Sequence, residues 1–227
     1  MMKKILFFTV LVSILACNPG NGQNGKSVIQ DRAVEAVKIP KDFDVVKYYK
    51  KKGIDVFIEN GFSRVRINDN MKIKNDDCRY FSLLRNITHI YFYGEGNQLS
   101  NECLKYFGDT KYLEYITIKD ANIDDEGLKY FSDTSRIEDI QLIHVKVNGS
   151  GFKYLRNNRN LKSLCFYNNS KIGYFNKCFI TDENLQYLSV FTNLKELDLS
   201  YSNITGSGLK YIKPLKKLKF LGMENKK

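Results

Sequence analysis

Apolar residues recur along the chain in one phrase, L-x-x-L-x-L, in which the last two apolar positions alternate with polar ones. The phrase reads Phe62/Val65/Ile67, Ile87/Ile90/Phe92, Leu113/Ile116/Ile118 and Ile137/Ile140/Leu142. It continues with Leu161/Leu164/Phe166, Leu194/Leu197/Leu199 and Leu218/Leu221/Met223. The starts are separated by 25, 26, 24, 24, 33 and 24 residues. Alternation with period two predicts a short strand with one buried face in each repeat. After each of the first six strands comes a second apolar pair three residues apart: Cys78/Phe81, Leu104/Phe107, Leu128/Phe131, Phe152/Leu155, Leu185/Leu188 and Leu209/Ile212. That spacing predicts a short helix burying one stripe. Asp124, and Thr181 or Asp182, stand where helix starts are expected.

A unit of this length cannot bury its own apolar face, so neighbours must stack into a continuous parallel sheet. The pattern resembles the leucine-rich repeat, over about residues 62–227. The resemblance implies an α/β solenoid: a curved parallel sheet with short convex helices, about seven repeats long. The asparagine that usually follows the strand is replaced by Ala121, Val145 and Ser202, and the return segments look helical. Both features are more similar to the ribonuclease-inhibitor and cysteine-containing subtypes than to the short bacterial type.

Ahead of the repeats, Ile54–Ile58 and Phe62–Ile67 flank Glu59-Asn60-Gly61, and Asn-Gly is a strong hairpin signal. A two-residue turn pairs Val56 with Val65. Residues 42–52 form an expected amphipathic helix stopped by Gly53. Residues 42–61 are therefore read as an N-terminal cap.

The first residues carry an address rather than a fold. Lys3 and Lys4 precede an apolar run, Ile5–Leu15, of the length of an export signal and too short to span a bilayer. The run ends in Ile14-Leu15-Ala16-Cys17, which resembles the bacterial lipoprotein box. The resemblance implies that residues 1–16 are removed and that Cys17 is lipidated, palmitate included. Residues 17–41 would then form a tether, Gly- and Asn-rich at its start. Asn18 is not the aspartate that, in that family, holds lipoproteins at the inner membrane. An outer-membrane or cell-surface location is expected.

The 227 residues carry a formal charge of +11 and 43% hydrophobic residues, enough for an ordered core. With no tryptophan and two histidines, the chain is poor in groups for catalysis or metal binding. It shows no nucleophile elbow, phosphate loop, metal-ligand helix or C-x-x-C pair. No enzyme activity, cofactor, metal or nucleic-acid partner is expected; the expected partners are a protein ligand and, through the lipid, a membrane.

In such a solenoid the polar strand positions face a ligand. They include Arg64, Arg66 and Asn68, then His89, Tyr91 and Tyr93, then Tyr115, Thr117 and Lys119. Asp139, Gln141, Ile143 and His144 follow, with Ser163, Cys165 and Tyr167, then Glu196, Asp198, Ser200 and Tyr201. Tyrosines cluster centrally, and charge runs from arginine to carboxylate. Tyrosine and arginine are frequent interface anchors. Adhesion, host interaction or envelope assembly would all suit such a face. The alternative is a periplasm-facing structural lipoprotein whose tyrosines read glycan or hold an envelope protein. Tyr167–Phe179 holds about nine extra residues, with Tyr174 and Phe175 as exposed aromatics and Cys165 and Cys178 as a candidate disulfide in an exported chain. Cys78 sits in a core helix slot, where a free thiol acts as a small hydrophobe. Seven lysines after Gly208 guard the last sheet edge against strand pairing.

Overall fold

The computed structural model describes residues 39, 41–68, 73–94, 99–107, 111–168 and 180–224. The expected signal segment, the lipidated Cys17 and most of the tether lie outside the described residues, as do Tyr174, Phe175 and Cys178. The chain divides into two compact units, Met1–Asp44 and Val45–Lys227.

Eight strands form one sheet in chain order: β1 (Asp55–Glu59), β2 (Phe62–Ile67), β3 (Ile87–Tyr93), β4 (Tyr115–Lys119), β5 (Asp139–Ile143), β6 (Ser163–Tyr167), β7 (Glu196–Asp198) and β8 (Phe220–Gly222). The first pair is antiparallel and all the others are parallel. Asn60 and Gly61 take left-handed conformations (φ 50° and 79°), so a two-residue turn sets Val56 against Val65. Helix α1 (Val45–Lys51) precedes the hairpin and ends where Gly53, at φ 79°, donates its N–H to Lys50.

Return segments lie between the parallel strands. Two begin as single α-turns, α2 (Asn75–Cys78) and α3 (Asn101–Leu104). α2 runs directly into a 3₁₀ helix, η1 (Arg79–Leu83), and the other four segments are 3₁₀ helices throughout: η2 (Asp125–Phe131), η3 (Ser150–Leu155), η4 (Asp182–Val190) and η5 (Gly206–Ile212). A 3₁₀ helix has three residues per turn, so an apolar pair three apart points straight into the core. Leu128 with Phe131, and Leu185 with Leu188, are buried this way. Asp124 and Thr181 take the N-cap positions.

The strand residues Ile116, Ile140, Leu164 and Leu197 fill the core, each within 2% of complete burial. At the helical side Tyr49 stacks on Phe81 at 4.7 Å and Phe81 on Phe107 at 4.6 Å. Polar groups link neighbouring repeats. Buried Asp125 accepts backbone N–H bonds from Asn148, Gly149 and Gly151 of the next repeat, at 2.8, 3.1 and 2.6 Å. A Cβ at Gly151 would stand 2.5 Å from the Asp125 carbonyl oxygen, so only glycine permits this approach.

Three expectations are corrected. Phe62 is 40% exposed, and Ser63 takes its inward place opposite Ile87. A register shift between Ser63 and Arg64 is the cause, because β2 pairs antiparallel with β1 on one side and parallel with β3 on the other. Phe62 packs edge-on against Tyr112 instead. Leu221, in a core slot of the last phrase, is 38% exposed, since no strand among the described residues pairs beyond β8. Finally, Cys78 is not a free thiol but bonds to Cys103, 25 residues on, with Cα atoms 5.2 Å apart. Stacking of α2 beside α3 brings the two together, and closing a loop of that length contributes about 3 kcal/mol.

These burials predict opposite outcomes for two large residues of the repeat phrase. Leu197→Ala should cost about 3 kcal/mol in urea unfolding, from lost burial plus a cavity. Phe62→Ala should cost less than about 1 kcal/mol.

Candidate functional site

Parallel pairing in one register turns the polar strand positions into rows across the sheet. The first row runs Arg64, His89, Tyr115, Asp139, Ser163, Glu196. The second runs Arg66, Tyr91, Thr117, Gln141, Cys165, Asp198. The third holds Tyr93, Lys119, Ile143 and Tyr167. From β2 to β7 the rows span five strand steps, or about 24 Å.

Side chains within the rows lean on one another. The His89 ring stacks on Tyr115 at 4.5 Å with 21° between planes, and the Arg66 guanidinium sits 5.1 Å from the centre of the Tyr91 ring. Arg64 also pairs with Glu59 at 2.7 Å. Tyr167 meets Tyr201 edge-on at 4.9 Å. Such contacts hold large rings in place before any ligand arrives, which lowers the ordering cost of binding.

Electrostatics differ at the two ends. Partial burial and then the Arg64 charge push the His89 pKa down, which favours neutral imidazole at neutral pH. At the other end, burial is the largest influence on Asp139, and with the Glu196 charge it outweighs hydrogen bonds from Ser163 and Gln141, so its pKa is raised. Burial, then Asp198 and Asp139, push the Cys165 thiol up to about 11. A pocket of about 290 Å³ opens here, lined by Tyr115, Glu138, Asp139, Lys162, Ser163, Lys195 and Glu196.

A family model described as Leucine Rich repeat matches residues 192–213, which contain β7 and η5. The fold is a leucine-rich-repeat solenoid. An internalin from Listeria monocytogenes is similar in structure, with 18% identity and a TM-score of 0.45 over 70% of this chain. The match covers 47% of that internalin, so this chain aligns with about half of its length. The curated proteins contain no match.

The leucine-rich-repeat sheet brings most of the expected face together, but not all of it. Arg64, Arg66, His89, Tyr91, Tyr93, Tyr115, Lys119, Asp139, Tyr167, Glu196 and Asp198 are at least partly accessible and lie on strands of the one sheet. Tyr201 is partly accessible too, but it lies past β7 in a left-handed turn at φ 61°. Thr117, Ser200 and His144, expected on the open face, are 8, 7 and 6% exposed. His144 turns away because the chain leaves β5 there through a left-handed residue at φ 49°, placing Nδ1 2.9 Å from Asp120 Oδ1.

The pocket rim also includes residues that strand alternation leaves out. Glu138, Lys162 and Lys195 each follow the first apolar residue of a repeat, so repeat alignment could have grouped them. Cys165, expected as a candidate disulfide partner of Cys178, bears a free thiol, and Cys178 lies outside the described residues. Among the described residues no group of three or more His, Cys, Asp or Glu could hold a metal ion.

The raised thiol pKa leaves little thiolate at Cys165. Peptide-resolved alkylation by iodoacetamide at about pH 8 should be at least about tenfold slower there than in the unfolded chain. Asp198→Asn should narrow the gap.

Proposed function

We propose that this chain is a lipid-anchored bacterial envelope protein that binds a protein ligand across the rows of its leucine-rich-repeat sheet. The observation that carries the reading is the ring-paved face from Arg66 and Tyr91 to His89 and Tyr115, followed by the Asp139 pocket. Rigid tyrosines supply large contact area at little entropic cost, and arginine beside them adds a charged anchor. Flanking charges of opposite sign would orient the partner and speed its encounter. The Cys78–Cys103 disulfide supports export, because such bonds persist in oxidising compartments. Lipid attachment at Cys17 would hold the solenoid at the envelope, with residues 18–41 as spacer. Adhesion or host interaction would follow from surface exposure.

Two experiments test the reading. Proteins cross-linked on intact cells to the wild-type chain should fall at least about tenfold in the triple variant Tyr91→Ala/Tyr93→Ala/Tyr115→Ala, which should still fold because the rings lie on the accessible face of the sheet rather than in its core. Unchanged cross-linking would move the site elsewhere. Cys17→Ala should shift the protein from the membrane fraction to the soluble one, and protease added to intact cells should digest the anchored wild type. Retention of Cys17→Ala would sink the lipid anchor; protection until lysis would place the domain inside the envelope.

A further inference from the structure

A second surface lies along the edge of the sheet where the strands begin, beside the first row of polar strand residues, and shares Lys162 and Lys195 with the rim of the Asp139 pocket. The residue just after the first apolar position of successive repeats is Glu114, Glu138, Lys162, Lys195 and Lys219. Each of the last four donates its backbone N–H to the carbonyl of the one before, at 2.8, 2.8, 2.7 and 2.7 Å. The row therefore advances by one strand spacing per residue, about 4.8 Å. It changes sign midway. From Lys162 onward it is wholly cationic, and Arg159, Lys216 and Lys217 flank it; all six cations are exposed.

Edge protection explains lysines near β8 but not this row, because Lys162 and Lys195 belong to interior repeats. Local acids offset only part of it: Glu138 pairs with Lys162 at 2.7 Å at the margin, and Glu196 lines the same pocket as Lys162 and Lys195. Lys217 bonds only the neutral Asn193 side chain, at 2.6 Å. Two further contacts knit the ridge: Asn193 donates to the Arg159 carbonyl at 2.9 Å, and the Glu196 N–H also donates to the Lys162 carbonyl, at 3.0 Å. The charges are carried on a rigid scaffold.

We infer that a linear acidic polysaccharide seats along the Lys162–Lys195–Lys219 row, across the strands, with its anionic groups facing successive lysines. The geometry is a line rather than a plane, which suits a polymer better than a membrane. Its step is close to the rise of one sugar unit in an extended chain. The Cys78–Cys103 disulfide supports an exported, oxidising compartment, which puts acidic glycans within reach. The row also stops at Glu138, so a polymer running further would meet repulsion; this fixes where it ends.

The test uses the full-length protein and a heparin dodecasaccharide as probe, followed by calorimetry. Saturable binding that weakens steeply with salt is expected. Lys216→Glu/Lys217→Glu/Lys219→Glu should lower affinity at least about tenfold, while Lys47→Glu/Lys50→Glu/Lys51→Glu on α1 should lower it less than about twofold. Equal losses in both variants would show bulk charge alone and overturn the proposal. So would tighter binding to vesicles of phosphatidylglycerol or to oligodeoxythymidine, or no binding to the saccharide. If charge reversal prevents folding, the glutamine triple at the same three positions replaces it, with a loss of at least about fivefold expected and an unchanged affinity counting against the proposal. Variation of Tyr91 and Tyr93, with Tyr115 left intact because it shares the pocket of Lys162 and Lys195, should leave saccharide binding unchanged, which separates this ridge from the other tyrosines of the protein-binding face.

Discussion

No repeat in this chain can bury its own apolar face, and that constraint governs the rest of the structure. Ile140 is enclosed only because Ile116 and Leu164 stand opposite it on the neighbouring strands. The same dependence explains Leu221, which has the residue type for the core but is 38% exposed. Stability is thus a sum of neighbour interfaces, so each strand must hold the register of the one before. The polar links serve that register. Asp125 reaches three N–H groups of the next repeat, and Asp182 meets Thr205 and Ser207 in the equivalent place further on.

Fixed register has a chemical consequence. Residues scattered about 24 positions apart become neighbours about 4.8 Å apart, so side chains that are unremarkable in isolation acquire partners. His89 finds Tyr115, and Arg66 finds Tyr91. Asp139 is partly buried by the stack and feels Glu196, and together these raise its pKa against the hydrogen bonds from Ser163 and Gln141. The arrangement suits recognition: rings held by one another lose little freedom on binding, and charge is divided between the ends. The cationic row from Lys162 to Lys219 arises from the same translation, one edge further out.

The disulfide illustrates how stacking redirects a residue. Cys78 has the sequence position of a core hydrophobe, and its burial fits that. Its bond to Cys103 exists because α2 and α3 lie side by side, a relation between repeats rather than within one. Position one of β2 shows the opposite effect. Phe62 matches the apolar phrase, yet β2 must satisfy an antiparallel and a parallel neighbour at once, and the resulting shift turns Ser63 inward.

Repeat length, strand positions, the Asn60-Gly61 turn, the Asp124 cap and the identity of the rows all follow from the sequence alone, because each depends on contacts within one repeat or on strict periodicity; between Thr181 and Asp182 the structure chose Thr181. The short helices were legible as helical, but the 3₁₀ geometry that most of them adopt was not. What only the tertiary structure decided lies between repeats: the Cys78–Cys103 bond, the burial of His144 against Asp120, the pocket at Asp139 and the shift at Ser63. Period and local turn chemistry are written in neighbouring residues. Contacts across about 4.8 Å of stacking join residues some two dozen positions apart, and they exist only once the sheet has formed.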